Sequence, residues 1–156
     1  MLLSLLKSIF HNIAVVLVGF GVALLGRELD SLFGVGSFQP TLVAVAGWLL
    51  VGTGFILRAS AAFYFYQHRM QVISLKPQGS LIVTGPFAIS RNPLYLGGNV
   101  LIFFGAALVL GSPSALVITA AHIPLVDLFV RREEKQLEKR FGAAWLSYRE
   151  RVRRWI

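Results

Sequence analysis

Two short clusters hold the residue types that chemistry could use. The first is Thr84-Gly85-Pro86-Phe87-Ala88-Ile89-Ser90-Arg91-Asn92-Pro93-Leu94-Tyr95-Leu96-Gly97-Gly98-Asn99. Gly85-Pro86 signals a turn. Pro93 disfavours helix at Asn92 and itself suits a first helical turn, so a helix is expected to start near Pro93 with Asn92 close to its N-cap. A helix start exposes backbone N–H groups and a partial positive charge, and so can receive a carboxylate. Gly97 and Gly98 remove side chains one turn further in, where a ligand or another helix can approach the backbone. The plainer alternative is a membrane-edge turn followed by a packing surface. The second cluster is Glu133-Glu134. One of these carboxylates could accept hydrogen bonds from an ammonium or a ribose diol. The alternative is a solvated helix face on which both pair with Arg131, Arg132 or Lys135.

Three further ionisable residues lie in apolar surroundings. Asp127 precedes Glu134 by seven residues, on the same helical face about two turns away. Arg58 interrupts an apolar run, and either an ion pair with Asp127 or snorkelling would accommodate it. His122 is expected to hydrogen-bond a neighbouring helix. His11, His68 and His122 are too dispersed for a metal site, so no metal is expected. The absence of cysteine excludes a disulfide framework, a thiolate zinc site, an iron–sulfur cluster and a cysteine nucleophile. No Ser-His-Asp arrangement, P-loop or strand-linked GxGxxG is present, and the strand-poor pattern excludes a Rossmann methyltransferase.

The elements that must position these clusters are membrane helices. Hydrophobic residues make up 56% of the chain and charged residues 14%, against roughly 25% charged in soluble domains. A chain of 156 residues cannot hide that surplus in a water-soluble core. Four apolar runs, roughly 9–25, 42–66, 94–110 and 114–130, predict an all-α bundle of about four transmembrane helices in a single membrane domain, 1–156. Leu137, Phe141, Ala144, Trp145, Tyr148 and Val152 then form an apolar stripe opposite a basic face. This predicts a cytoplasmic amphipathic C-terminal helix in the interface plane, broken at Gly142.

The net charge of +8 does not point to nucleic acid, because nine of the fifteen basic residues lie between Arg131 and Arg154, directly after an apolar run. Such a segment suits anionic membrane lipids. The segment 67–92 holds Arg69, Lys76 and Arg91 without an acid, whereas 26–39 holds Glu28 and Asp30 against Arg27. The positive-inside rule predicts a multi-pass protein with both termini and the 67–92 loop in the cytoplasm, in agreement with Lys7. No cleavable signal peptide is expected.

The run Gly85-Pro86-Phe87 followed by Ser90-Arg91-Asn92-Pro93-Leu94-Tyr95-Leu96-Gly97 resembles the Gly-Pro-Tyr…Arg-His-Pro-x-Tyr-x-Gly signature of the isoprenylcysteine carboxyl methyltransferases and their phospholipid methyltransferase relatives. Glu133-Glu134, Leu137, Phe141-Gly142, Tyr148 and Val152 are similar to that family's second block, and a helical hairpin separates the two blocks, as in the family. The resemblance covers roughly 81–155, the expected catalytic core. Asn92 stands where histidine is frequent, Phe87 replaces a tyrosine, Trp145 replaces the first tyrosine of the second block, and the proline often found after that block is absent.

The resemblance implies an integral membrane methyltransferase that uses S-adenosylmethionine. The lipophilic acceptor in the bilayer would be an isoprenylcysteine carboxylate, a phospholipid amine or similar. It implies cofactor contacts from Gly85, Phe87, Arg91, Asn92, Pro93, Tyr95, Gly97, Gly98, Glu133 and Glu134, with Arg91, Asn92 and Glu134 closest to catalysis. Arg91 or the helix start would take the methionine carboxylate, and Glu133 and Glu134 the ammonium and ribose hydroxyls. Tyr95 would face the sulfonium. Glu134 or Asp127 would assist an amine acceptor that must lose a proton. Two other readings stand beside it: a membrane reductase with related C-terminal helices that binds NADPH, and a small non-enzymatic membrane subunit.

Overall fold

A computed structural model describes residues 2–70, 72 and 79–156. Lys76 and the middle of the 67–92 loop lie outside the described residues. Five helices succeed one another along the chain: α1 (Leu2–Phe33), α2 (Thr41–Gln67), α3 (Pro93–Leu110), α4 (Pro113–Phe141) and α5 (Ala143–Arg151). A single 3₁₀ turn, Gly85–Ala88, precedes α3. The described residues contain no strand. The first four helices each contain a segment long and apolar enough to cross a membrane. They overrun the apolar stretches: α4 continues well past 130, so Glu133 and Glu134 ride on the same helix as the span.

The bundle reverses the pattern of a soluble protein. Leu17, Leu42, Leu49, Ile56 and Val117 are exposed on the outside, whereas Ala23, Ala61, Ala62, Ala106, Ala107 and Ala115 are fully buried between helices. Lipid gives large apolar side chains no reason to turn inward, so small residues line the contacts and let backbones approach. The α2–α3 seam shows this most clearly. A Cβ placed on Gly97 would lie 2.6 Å from the Gly54 carbonyl oxygen, and one on Gly105 would lie 2.7 Å from that of Gly47. Seven residues of α2 thus face eight of α3. The mismatch is absorbed by a wide π-helical turn, Leu96–Ile102, inside α3. Such turns take up one extra residue without breaking the helix.

The end of the bundle at the α3–α4 turn is closed by the Asp30 carboxylate. Ser112 Oγ donates to it at 2.5 Å and the Ser114 backbone N–H at 2.9 Å. Ser112 is also the N-cap of α4, accepting from the Ala115 N–H at 3.1 Å, with Pro113 in the first turn. The Phe38 N–H donates to the Gly111 carbonyl and ties in the α1–α2 loop.

At the other end Gly142 separates α4 from α5 with φ +51 and ψ −123, a conformation that suits a residue without Cβ. Part of the tail's apolar stripe packs on the protein itself. Trp145 and Tyr148 are buried against the protein's own 85–95 segment, and Tyr148 Oη donates to the Phe87 carbonyl oxygen at 2.7 Å. An amphipathic stripe has the same pattern whether it covers a bilayer or a neighbouring loop.

Candidate active site

The segment before α3 is held by the end of the chain. The Arg91 N–H donates to the Arg153 carbonyl at 3.0 Å, and Ser90 Oγ to the Arg154 carbonyl at 3.0 Å. Asn92 is the N-cap of α3 and Pro93 opens its first turn, as the sequence predicts. The Asn92 side chain does not cap, however. Its amide nitrogen donates to Glu134 Oε1 and to the Arg154 carbonyl, both at 3.3 Å.

Arg91 is held by the protein at all three of its side-chain nitrogens. Its Nε donates to Glu134 Oε1 at 3.1 Å, and Nη2 lies 3.1 Å from the same oxygen. Its Nη1 donates to the Arg149 and Val152 carbonyls at 3.0 and 2.9 Å, so it satisfies the last turn of α5. The guanidinium also lies over the Trp145 ring, 5.7 Å from its centre. On the other side of the carboxylate, Arg154 donates to Glu134 Oε2 from Nε at 3.1 Å and Nη2 at 2.8 Å. These bonds raise the pKa of Arg154, with Glu134 as the leading cause. Both oxygens of the buried Glu134 are therefore taken by Arg91, Asn92 and Arg154. Arg91, Asn92 and Glu134 converge upon one another.

Glu133 points elsewhere. Tyr95 Oη donates to its Oε1 at 2.9 Å, and both residues line a cleft with a cavity volume of about 110 Å³. Phe65, Met70, Ile82, Phe87, Leu94 and Leu137 give the cleft apolar walls. Ser80, Arg91, Asn92, Tyr95 and Glu133 add polar groups, and Trp145 and Tyr148 of α5 also line it. Burial raises the pKa of the Tyr148 phenol, which keeps it protonated as a donor to Phe87.

Of the expected cofactor contacts, Phe87, Arg91, Asn92, Pro93, Tyr95 and Glu133 line the cleft. Gly85, Gly97, Gly98 and Glu134 do not. Gly85 packs beneath the Tyr64 ring, and Gly97 meets Gly54 across the α2–α3 seam. Gly98 makes room for Arg58, whose Nη1 would lie 3.0 Å from a Cβ there. Arg58 neither pairs with Asp127 nor snorkels. It is buried, donating from Nη1 to the Leu94 carbonyl at 2.6 Å, with Nη2 3.1 Å from His11 Nε2. Asp127 instead pairs with Arg131 at 2.5 Å and Arg154 at 3.4 Å. His122 Nε2 lies 3.1 Å from Asn99 Oδ1 on α3, the interhelical bond expected of it.

The walls Phe65, Met70, Ile82 and Leu137, and the two aromatic residues of α5, are absent from the sequence-based site. Apolar wall residues carry no chemical mark. Trp145 and Tyr148 do carry one, since both fall in the second signature block.

The family model described as phospholipid methyltransferase matches residues 42–144, about two thirds of the chain. No curated protein and no solved structure matches. The match runs from α2 through the Arg91 segment and the α3–α4 hairpin, and ends one residue before Trp145. The chain belongs to the phospholipid methyltransferase family. It is an integral membrane protein of methyltransferase type, with four helices fit to span the bilayer.

Proposed function

We propose that this member of the phospholipid methyltransferase family binds S-adenosylmethionine in the cleft beneath α5 and methylates a lipid held at the membrane edge. The observation that carries the reading is the Tyr95–Glu133 pair in a cleft with largely apolar walls at the end of two membrane helices. The residues present fit the cofactor. A carboxylate with a single hydrogen-bond donor suits its ammonium group, and aromatic faces suit its sulfonium. The bound cofactor would supply an already activated methyl group. What the chain must add is orientation of the acceptor and exclusion of water. The Phe65, Phe87 and Leu94 walls and the cover formed by α5 serve both ends.

The catalytic core spans 81–155, but the residues within it divide their work. Glu133 and Tyr95 meet the ligand, with Phe87, Asn92 and Pro93 beside them. Arg91 and Glu134 act as positioning residues, because their charged atoms are already bonded to the chain. Neither Glu134 nor Asp127 is placed to take a proton from an acceptor, since arginines hold both. Among lipophilic acceptors, a phospholipid amine agrees best with the family.

Purified protein titrated with S-adenosylmethionine and, separately, with NADPH tests the reading. Saturable binding of the first alone, and transfer of labelled methyl groups into extracted lipid, are expected. Binding of NADPH alone would replace it with a membrane reductase, and binding of neither would favour a non-enzymatic subunit.

The cofactor would enter from the cytosol and the acceptor sideways from the bilayer, with both termini cytoplasmic. Ser37, Ser80 and Ser147 are exposed. Cysteines placed at Ser80 and Ser147 should react with an impermeant label only in opened cells, and one at Ser37 in intact cells. The reverse pattern would refute this orientation.

A further inference from the structure

Four buried side-chain polar atoms lack a hydrogen-bond partner among the described residues: Asn12 Oδ1, Arg58 Nε, Thr119 Oγ1 and Trp145 Nε1. Only Trp145 also lines the cleft. Its indole is 1% exposed and is held in place by the Arg91 guanidinium over one face and the Tyr148 ring at its edge, 5.6 Å away. An indole N–H can only donate, and burying it without an acceptor is costly. Native proteins seldom leave such a group unpaired unless a ligand or water completes it.

Each neighbouring donor atom already has at least one partner within the chain. Arg91 is bonded to Glu134, Arg149 and Val152, Asn92 to Glu134 and Arg154, Tyr148 to Phe87, and Tyr95 to Glu133. The cleft thus offers one carboxylate with spare accepting capacity, Glu133, and one unpaired buried donor, Trp145. An acceptor and a donor in one cleft are the partners that an ammonium and a carboxylate require.

We propose that the Trp145 indole N–H receives the carboxylate of the cofactor's amino-acid end while Glu133 takes its ammonium, a role that rests on the S-adenosylmethionine reading above. Arg91 is the weaker candidate for the carboxylate, because each of its nitrogens already contacts an oxygen of the chain. Trp145 is also one of the positions at which this chain departs from the family's second signature, where a tyrosine is usual.

The test compares S-adenosylmethionine with its decarboxylated analogue on wild-type protein and Trp145→Phe. The variant keeps an aromatic ring under Arg91 and loses the N–H together with part of the indole's bulk, a loss that both ligands would feel alike. S-adenosylmethionine affinity is expected to fall about 10- to 100-fold, the usual cost of a lost hydrogen bond to a charged group. The decarboxylated analogue should bind both proteins about equally. Equal weakening for both ligands, or for neither, would overturn the assignment. Failure of wild-type protein to bind S-adenosylmethionine at all would instead overturn the cofactor reading beneath it.

Should Trp145→Phe not fold, the indole ¹⁵N–¹H resonances of the wild-type protein give the answer, assigned by elimination with Trp48→Phe and Trp155→Phe. The Trp145 resonance should shift strongly with S-adenosylmethionine and little with the analogue. Identical shifts with both would also refute the proposal.

Discussion

The two ends of this bundle use the same device with different completeness. At one end Asp30 gathers Ser112 Oγ and the Ser114 N–H, and closes the α3–α4 turn. At the other, Glu134 gathers Arg91, Asn92 and Arg154, and closes the chain terminus over the segment before α3. Both carboxylates are buried and answered by the chain itself. Only the second end has a neighbour that is not. Glu133, one residue away, accepts from a single phenol, and the Trp145 indole N–H in the lining of the same cleft donates to nothing among the described residues. Adjacent acids therefore need not share a role. One completes the architecture, and the other is left with bonding capacity that a ligand can fill.

The comparison breaks most visibly at Glu134. Glu134→Ala strands Arg91, whose side chain is 8% exposed, without its counter-charge. Removing one partner of a buried pair costs about 3–5 kcal/mol. Denaturant unfolding in detergent should show a loss of that size, with cofactor binding lost as well. Retained stability would mean that Glu134 is a ligand group after all.

Glu133→Gln should do the opposite. Affinity for S-adenosylmethionine is expected to drop by about 1.5–3 kcal/mol, measured by titration, while the unfolding midpoint stays put. A large stability loss with intact binding would exchange the roles of the two glutamates. Asp30→Ala sharpens the contrast from the far end. It should lower thermal stability by less than Glu134→Ala and leave cofactor affinity untouched, because nothing at that end reaches the cleft. Smallest of all is Arg151→Ala, an exposed residue whose side chain bonds only the Ser147 carbonyl one turn back. Neither stability nor binding should change measurably.

Much of this is legible in the residues alone. Lipid imposes long apolar runs, and those runs mark four helices although not their full length. Pro93 marks the start of α3 because proline acts locally, through its own ring and missing N–H. The sites that escape depend on contacts between distant segments. Gly97 and Gly98 look open to a ligand until α2 is packed on them. Glu133 and Glu134 are indistinguishable until Arg154 arrives from the chain end and selects one. The α5 stripe carries no sign of whether it will cover lipid or protein.

The wide turn in α3 has a further consequence. Each residue of a regular helix rotates its successor by about 100°, so the turn at Leu96–Ile102 acts as a phase shifter between two halves of one rod. The half beyond it is keyed to α2 through Gly105, while the half before it aims Tyr95 at Glu133. Shortening the turn by a single residue would leave every remaining side chain chemically intact. It would let the turn close to a regular α-helix, seven residues against the seven of α2, with Tyr95 kept near its present direction. A deletion at Phe103 or Phe104 has no such slack and would swing Tyr95 by about 100° relative to Gly105, so the site should tolerate loss of a residue inside the turn far better than loss of one just beyond it.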